Sequence, residues 1–398
     1  MKIRIRGYYG NKNLGDDYIL YSLLNTISKL NQNVDVEIET SGSDKYSELF
    51  ELFPSLKCTV INSSASKKDK IRSLLRLFNQ DFHIFGGGGL FPKDNYKSYV
   101  GLYLRTVLTK IGGGRNLIYG IDLCDIERKK SKKLWKKIIK NCELVTLRNN
   151  HSEDLLRLLD RHNKVIKGSD ITFALTTSVE ENGSIDAYLE RNKINVRDKE
   201  YIIVVPARPW SDEELKKEEC KERYSKLVQS FSKLCNRYYK LGYQIVFFPF
   251  YGGSDIKFIR DVVDNTEANC LVIEENDLPI EAKRAFFSKA KACISMRFHG
   301  VAFSLFSGTP VSAISYAPKT SELLRESSLE DYFVEYGISS KSGFFREFDF
   351  DNTVLQKKCD SVILYPNIEK IRNASKLLKK QAMTVESEFI DVLKKEKI

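Results

Sequence analysis

The sequence has few of the features that mark membrane-spanning, secreted or metal-binding proteins. No stretch approaches the roughly 18 consecutive apolar residues of a membrane span. Residues 1–6 alternate basic side chains with isoleucine, which predicts a β-strand and not the apolar core of a signal peptide. The eight cysteines are scattered singly without a C-x-x-C pair, so neither a zinc site nor a disulfide framework is indicated. We therefore expect a cytoplasmic protein without a bound metal or cofactor.

Basic residues outnumber acidic ones, and the formal net charge is +11. This charge favours an anionic partner. The candidate classes are a phosphorylated metabolite, an anionic membrane surface and a nucleic acid. The sequence contains no zinc finger, no RNP-type aromatic motif and no arginine-rich arm. We therefore expect no nucleic-acid partner.

Two segments, residues 67–78 and 128–141, have the pattern of basic amphipathic helices. More often such a helix buries its apolar stripe in the core and exposes its charges to water. It can also lie on an anionic bilayer. The sequence thus leaves open a peripheral contact with the inner face of the membrane.

The order of strands and helices predicts the architecture. At 398 residues the chain suits two domains of about 150–200 residues each. Strands alternate with helices in both halves, which predicts two Rossmann-like, doubly wound α/β domains facing a cleft. We place the first domain at 1–185, the second at 198–365 and a long C-terminal helix at 366–398, with the polar stretch 176–199 as the connection.

Arg297 and His299 follow a short apolar strand and precede a helix that ends at Gly308. In open α/β sheets this edge binds ligands. On an extended backbone, residues two apart point the same way, which suits grip and proton transfer on one anion. In isolation such a pair is more often a surface arginine beside a packed histidine. Because Arg148 and Arg208 also follow apolar strands, we expect convergence on a small, highly charged anion.

Two glycine-rich turns also follow strands, at residues 7–17 and 86–89. Glycine lets the backbone approach a ligand, and a helix N-terminus offers unpaired N–H groups to an anion. Asp16 and Asp17 in the first turn suit capping of the helix or binding of sugar hydroxyls better than binding of a phosphate. The first turn could instead be only a tight connection between strand and helix. The second could be a linker, although its apolar neighbours favour a backbone cradle.

Taken in order, these motifs resemble those of the polysaccharide pyruvyl transferase family. The resemblance spans nearly the whole chain, although Phe298 stands where the family pattern has leucine. The matching stretches are Gly7-Tyr8-Tyr9-Gly10 with Asn13, Gly15 and Asp16; Gly86-Gly87-Gly88; Arg148 with Ser152; Arg208-Pro209-Trp210; Pro249-Phe250 with Asp255; Met296-Arg297-Phe298-His299; and Gly308-Thr309-Pro310 with Tyr316-Ala317-Pro318-Lys319.

The resemblance implies a GT-B-like fold and transfer of pyruvate from phosphoenolpyruvate to two sugar hydroxyls of a surface polysaccharide or its precursor, with a ketal formed and phosphate released. It implies that Arg297 and His299 belong to the phosphoenolpyruvate site. We assign Arg208 and Lys319 to the same site and choose His299 as the general acid. The sugar is not carried over, and its carrier, nucleotide or lipid, stays open. The residues assigned to the acceptor or to a backbone cradle are Gly10, Asn13, Gly15, Asp16, Gly87, Gly88 and Arg148.

Two other functions are compatible with this sequence. A nucleotide-sugar glycosyltransferase on the same architecture would use the glycine-rich turns for a diphosphate and an acidic residue such as Glu281 for the ribose. A non-catalytic scaffold subunit of polysaccharide assembly would need none of Arg208, Arg297 and His299. We therefore favour pyruvyl transfer over both.

Overall fold

The structure is a computed structural model. It describes residues 1–30, 32–40, 46–62, 66–89, 95–123, 126, 128–159, 164–175, 186, 190, 200–273, 278, 280–336 and 351–395, with the side chains of Lys67, Leu158, Leu159, Lys164 and Glu281 excepted. The chain forms two compact units. Unit 1 contains residues 1–175 and 378–398, and unit 2 contains residues 176–377.

Unit 1 alternates strands and helices along its length. Its strands are β1 (Lys2–Arg6), β2 (Val34–Thr40), β3 (Leu56–Asn62), β4 (Phe82–Gly88), β5 (Arg115–Ile121), β6 (Cys142–Leu147) and β7 (Lys164–Lys167). Its helices are α1 (Leu14–Ser28), α2 (Ser47–Glu51), α3 (Lys67–Leu75), α4 (Tyr96–Ile111), α5 (Lys129–Lys140) and α6 (Asn150–Leu159), with 3-10 turns at Arg76–Asn79 and Ile171–Ala174.

These strands form one parallel sheet in the order β3-β2-β1-β4-β5-β6-β7. The register aligns Ile5 of β1 with Ile38 of β2 on one side and with Ile84 of β4 on the other, and all three residues are buried. The strand order reverses between β1 and β4. Both glycine-rich turns leave the sheet at this reversal, which is where open α/β sheets form a ligand crevice.

Unit 2 repeats the pattern on a smaller scale. Its strands are β8 (Tyr201–Val205), β9 (Gln244–Phe247), β10 (Cys270–Val272), β11 (Ala292–Ser295), β12 (Val311–Ser315) and β13 (Phe333–Glu335). Its helices are α7 (Glu218–Lys240), α8 (Ser254–Asp264), α9 (Ile280–Ser288), α10 (Phe298–Ser307), α11 (Pro318–Glu326) and α12 (Asn352–Ile363), with 3-10 turns at Glu214–Lys216 and Glu330–Tyr332.

The second sheet is also parallel, in the order β10-β9-β8-β11-β12-β13. Every residue of β8, β11 and β12 is buried, as expected for strands covered by helices on both faces. Its order reverses between β8 and β11. The predicted pair of doubly wound α/β units is confirmed. β13 is only three residues long, which is too short for a sequence pattern to predict.

The last helix, α13 (Ile368–Lys394), crosses the boundary between the units. From Leu378 onward it belongs to unit 1, where Phe389 stacks on Tyr119 with ring centroids 4.0 Å apart. Glu386 accepts hydrogen bonds from Thr26 (2.8 Å) and Lys29 (2.7 Å). The helix is therefore not a separate segment starting at 366, because its apolar stripe completes the core of unit 1. No helix among the described residues is long and apolar enough to span a membrane.

Candidate functional site

The carboxyl edge of the unit 2 sheet gathers the predicted donor-site residues. Arg208 follows β8, while Arg297 and His299 follow β11, the neighbouring strand across the reversal of strand order. Lys319 follows β12, the next strand along. Parallel strands end at the same edge, so loops that are far apart in sequence meet there.

Arg297 is held by a buried carboxylate. Its Nε lies 3.2 Å from Oδ2 of Asp255, and its Nη2 donates to Oδ1 of the same residue. Its Nη1 donates to the hydroxyl of Tyr316 at 3.3 Å, and the guanidinium lies 5.5 Å from the ring centre of Tyr251. Burial alone would lower the pKa of Arg297, but Tyr316 and the Asp255 carboxylate raise it. The arginine is therefore a fixed cation whose side chain is still 21% exposed.

Asp255 lies in the first turn of α8, and its fully buried carboxylate accepts hydrogen bonds from two loops. Its Oδ2 accepts the backbone N–H groups of Phe250 (3.3 Å) and Tyr251 (2.9 Å) as well as Arg297. These bonds tie the loop after β9 to the loop after β11. Asp255 therefore fixes the position of Arg297 without itself reaching solvent.

The structure corrects the predicted backbone of the Arg297–His299 pair. The last ladder bond runs from Met296 N–H to Val205 O (2.8 Å), and the Ser295 hydroxyl donates to the Arg297 carbonyl (2.9 Å). Helix α10 then begins at Phe298, so Arg297 is its N-cap residue and His299 lies in its first turn. The two residues share the sheet edge, but they do not lie on one extended strand.

Gly300 lets this helix start close to the sheet. A Cβ atom there would lie 2.3 Å from the Ser295 hydroxyl oxygen and 2.9 Å from Cγ1 of Val205. The N-cap residue Arg297 makes no side-chain cap to the helix, so the first N–H groups of α10 face the same edge without that partner. A helix N-terminus of this kind favours an anionic ligand.

Arg208 and Lys319 add two more cations to this edge. Arg208 Nη1 donates to Oδ1 of Asp212 at 2.6 Å, and Lys257 reaches the same carboxylate at 3.3 Å. The hydrogen bond from Arg208 is the largest cause of the lowered pKa of Asp212. Lys319 lies in the first turn of α11 with its Nζ 5.8 Å from the ring centre of Phe298, and it forms no ion pair with any described residue. The edge can therefore attract a small, multiply charged anion.

In unit 1, the first glycine-rich turn caps α1 with the protein's own groups. Asn13 is the N-cap residue, and its Oδ1 accepts from the backbone N–H of Gly15 at 3.2 Å. Its Nδ2 donates to the largely buried carboxylate of Asp16. Gly10 has a positive φ of 78°, and its N–H donates to the Tyr46 hydroxyl at 2.6 Å. The N-cap residue of α1 is therefore Asn13, with Asp16 and Asp17 in the first turn of the helix, and sugar binding by this turn stays a prediction.

The second glycine run belongs to β4, which ends at Gly88, and is not a linker. Gly87 has a φ of 60°, and a Cβ atom there would lie 2.2 Å from Cγ2 of Ile19. A Cβ on Gly86 would lie 2.6 Å from the Tyr9 hydroxyl, which donates to the Gly86 carbonyl at 2.9 Å. Close packing of the protein on itself thus explains these glycines, and a backbone cradle for a ligand stays a prediction.

Arg148 does not have the exposure expected of a substrate ligand. Its Nη1 donates to Asp170 and its Nη2 to Asp122, both at 2.9 Å, and its side chain is only 2% exposed. Burial would lower the pKa of Arg148, but the two carboxylates raise it. We therefore correct the expectation that Arg148 converges on an anion with the other arginines, because its charge is already neutralised inside unit 1.

The sequence did not single out Tyr251, and it gave Asp255 and Tyr316 no role beyond a motif match. All three follow strands of the unit 2 sheet, and position at that shared edge was the signal that could have found them. The Glu281 side chain, considered for ribose binding, lies outside the described part of the chain. Within the described ranges, no group of three His, Cys, Asp or Glu residues could hold a metal ion.

The family model for polysaccharide pyruvyl transferases matches residues 13–318. The chain belongs to this family. The match makes this chain a member of a transferase family of polysaccharide biosynthesis. No curated protein matches the chain by sequence.

Solved structures similar to this pyruvyl transferase family member share its GT-B-like fold at low sequence identity. UDP-GlcNAc 2-epimerase from Methanocaldococcus jannaschii has a TM-score of 0.62 at 13% identity, over 96% of this chain and 99% of that one. UDP-GlcNAc 2-epimerase from Neisseria meningitidis, bound to UDP-GlcNAc, has a TM-score of 0.61 at 12% identity over 99% of both chains. A ugt transferase from Siraitia grosvenorii, in complex with UDP, has 0.53 at 11% identity over 99% of this chain and 100% of that one. At such identity the likeness concerns the fold alone.

Proposed function

We propose that this pyruvyl transferase family member moves a pyruvate unit from phosphoenolpyruvate onto two hydroxyls of a sugar in a surface polysaccharide or its precursor. The product would be a cyclic ketal, and phosphate would leave. The observation that carries this proposal is the gathering of Arg208, Arg297, His299 and Lys319 at the carboxyl edge of one sheet, across its reversal of strand order.

The charges at this edge suit phosphoenolpyruvate, which carries a carboxylate and a phosphate on one small frame. Arg297 is oriented by Asp255 and retains exposed surface for a second anion. Arg208 and Lys319 lie after the two flanking strands, and α10 adds a helix N-terminus. Arginine binds carboxylate and phosphate with paired hydrogen bonds. We assign one acidic group of the donor to Arg297 and the other to Arg208 with Lys319.

His299 is our choice for the general acid. It would donate a proton to the methylene carbon of phosphoenolpyruvate, which leaves the adjacent carbon electrophilic. One sugar hydroxyl attacks that carbon and loses its proton, which restores the histidine. The carbon–oxygen bond to phosphate then breaks with its electron pair on the phosphate oxygen. The second hydroxyl closes the ketal and releases its proton to phosphate or solvent. No protein group other than His299 has to change its charge in this sequence of steps.

We assign the acceptor to unit 1, at the carboxyl edges of β1 and β4. Gly10, Gly88 and the exposed side chain of Tyr8 line this edge, which is a second reversal of strand order. We place the reaction in the cytoplasm, where phosphoenolpyruvate is made, with the acceptor carried on a nucleotide or a lipid.

The first experiment is calorimetric titration of the protein with phosphoenolpyruvate. Wild type should bind saturably, and the Arg297→Ala variant should lose binding because the donor's anionic group loses its fixed partner. Failure of wild type to bind, alone and with UDP-sugars present, would overturn the donor assignment. Binding of a UDP-sugar by a protein that binds no phosphoenolpyruvate under either condition would instead indicate a glycosyltransferase.

A second experiment separates chemistry from binding. The His299→Gln variant should retain donor binding within a few fold but lose phosphate release in the presence of sugar acceptors. Undiminished release by this variant would refute the role of His299. Donor binding by wild type, without release of phosphate from phosphoenolpyruvate in the presence of any acceptor tested, would support a non-catalytic subunit.

A further inference from the structure

Helices α3 and α4 of unit 1, with the 3-10 turn between them, concentrate exposed apolar surface. Of the fifteen large apolar side chains that are exposed in the described chain, seven lie within this short segment. Soluble proteins rarely expose such residues in groups unless the surface contacts a partner. The seven are Ile71, Leu75, Phe78, Tyr96, Val100, Leu104 and Ile111.

These side chains form ridges and are not scattered. Ile71 and Leu75 are four residues apart on α3 and are 59% and 56% exposed. Tyr96, Val100 and Leu104 repeat at the same interval on α4, so each set lies along one helix face. The two helices pack side by side. At the far end of α4, Gly112 packs on the backbone of Phe78, which leaves no room there for a Cβ atom.

Helix α5 places a dense positive charge beside this surface. Its seven lysines are all exposed, while Trp135, Ile138 and Ile139 are buried. The common expectation for a basic amphipathic helix is thus met, because the apolar stripe is in the core. None of the seven lysines forms an ion pair with a described residue. The seven are Lys129, Lys130, Lys132, Lys133, Lys136, Lys137 and Lys140.

The lysines of α5 adjoin the apolar ridges because α5 packs on α4. The Tyr99 and Trp135 rings are 6.4 Å apart, and Nδ2 of Asn141 donates to Oγ1 of Thr106 at 2.9 Å. Nζ of Lys137 lies 5.5 Å from the ring centre of Tyr103, which precedes Leu104 in α4. We call the exposed side chains of α3, α4, α5 and the turn 76–79 the basic–apolar face.

The positive charge of the whole chain is concentrated on this face. The excess of basic over acidic residues in segments 66–79, 95–111 and 128–140 is larger than the net charge of +11 of the entire chain. The remainder of the chain therefore carries a net negative charge. The excess positive charge of the chain thus comes from the helices of one face.

We propose that the basic–apolar face docks unit 1 on an anionic lipid bilayer. Lysines at a bilayer surface attract acidic headgroups, while exposed aliphatic and aromatic side chains enter the boundary between headgroups and acyl chains. Aliphatic residues such as Ile71, Leu75 and Leu104 have no use on a phosphodiester backbone, which argues against nucleic acid. A second copy of the same face would be repelled by its lysines.

The test is co-sedimentation of the full chain with vesicles of phosphatidylcholine alone or mixed with phosphatidylglycerol. The protein should bind the mixed vesicles, should bind neutral vesicles much more weakly, and should be partly released by high salt, since the charge term is screened and the apolar term is not. Lack of binding to mixed vesicles at low salt would overturn the proposal.

Two variants separate the charged and apolar contributions. Substituting Lys129, Lys133, Lys136 and Lys140 by glutamine should weaken partition roughly tenfold or more. The matched control makes the same change in net charge elsewhere, at the exposed residues Lys233, Lys376, Lys379 and Lys380, and should leave binding nearly unchanged. Equal losses in both variants would show that only net charge matters and would overturn the proposal.

The apolar contribution is tested with Ile71→Ser combined with Leu104→Ser, which should lower partition several-fold without altering the melting temperature. Leu241→Ser combined with Tyr365→Ser, two exposed apolar residues of unit 2, is the control. An apolar variant that binds vesicles like wild type, together with duplex DNA binding that the four-lysine variant loses, would indicate a nucleic-acid surface and overturn the proposal.

Discussion

Arg297 and Asp255 are joined by two hydrogen bonds, with the carboxylate fully buried and the guanidinium reaching the sheet edge. The carboxylate also holds two backbone N–H groups of the loop after β9. A single buried anion therefore positions the cation that we assign to the donor. Because the pair is neutral as a whole, an anion is attracted by the exposed part of the Arg297 guanidinium, by Arg208 and Lys319, and by the N-terminus of α10.

We expect Asp255→Asn to damage both stability and donor affinity. The amide keeps the shape but cannot neutralise Arg297, and removing one partner of a buried pair costs about 3–5 kcal/mol. Urea unfolding would measure the loss, and calorimetry with phosphoenolpyruvate would measure binding. Asp212→Asn is the control for stability, because that carboxylate is 68% exposed. Wild-type affinity in Asp255→Asn would show that Asp255 does not position the donor site.

Arg148 should prove structural. Arg148→Met leaves Asp122 and Asp170 without their cation, so we expect a loss of about 3 kcal/mol in unfolding free energy. Donor affinity measured well below the melting temperature should stay at the wild-type value. Arg157→Met removes an exposed pair with Glu153 and should leave stability unchanged. A fully stable Arg148→Met protein with lost substrate binding would restore the original expectation for this residue.

The glycines of β4 allow a test of close packing. Gly87→Ala should destabilise the protein by about 2 kcal/mol or more, because the new methyl group meets Ile19 and the φ of 60° is strained for alanine. Gly89→Ala is the matched change, since a Cβ there meets nothing within 4 Å. Thermal or urea unfolding of the two variants gives the comparison. Equal stability of both would mean that α1 moves aside freely.

His83 should make the protein sensitive to mild acid. Burial lowers the pKa of His83 from 6.5 to about 3, opposed by Glu39 and assisted by Arg105. The unfolded chain therefore binds a proton that the folded protein excludes, so stability is full above pH 6.5 and falls as the pH drops towards 3. The loss attributable to this group should reach at most about 2 kcal/mol at pH 5.

A His83→Leu variant removes that proton and keeps an apolar side chain against Phe85. Urea unfolding at pH 7, 6 and 5 should show a smaller fall in stability for the variant than for wild type. Parallel curves for the two proteins would show that the pKa of His83 is the same in the folded and unfolded states. His83 would then contribute nothing to the acid sensitivity. Glu39, whose pKa is lowered to about 2 by its three arginine neighbours, titrates below this window.

The sequence predicts the candidate site only through the residues that follow the ends of predicted strands. An apolar run precedes each of the four donor-site residues, Arg208, Arg297, His299 and Lys319. Because parallel strands end at the same edge of a sheet, the four residues are predicted to lie together. The start of α10 could not be read, because it depends on Ser295 closing a turn and on Gly300 fitting against Val205. The extended geometry predicted for Arg297 and His299 was wrong for that reason.

By itself, the sequence determined the class of fold and the family. Apolar strands must be covered on both faces, and amphipathic helices that alternate with them can supply that cover. This pattern predicts a doubly wound parallel sheet. Only the tertiary structure decided which charges are free. Arg148 and Arg297 both follow strands, yet one is enclosed by Asp122 and Asp170 and the other is held at an open edge by Asp255. The reason is that ion pairing depends on carboxylates 22 to 42 residues distant, whose approach is set by the sheet order and not by any local pattern.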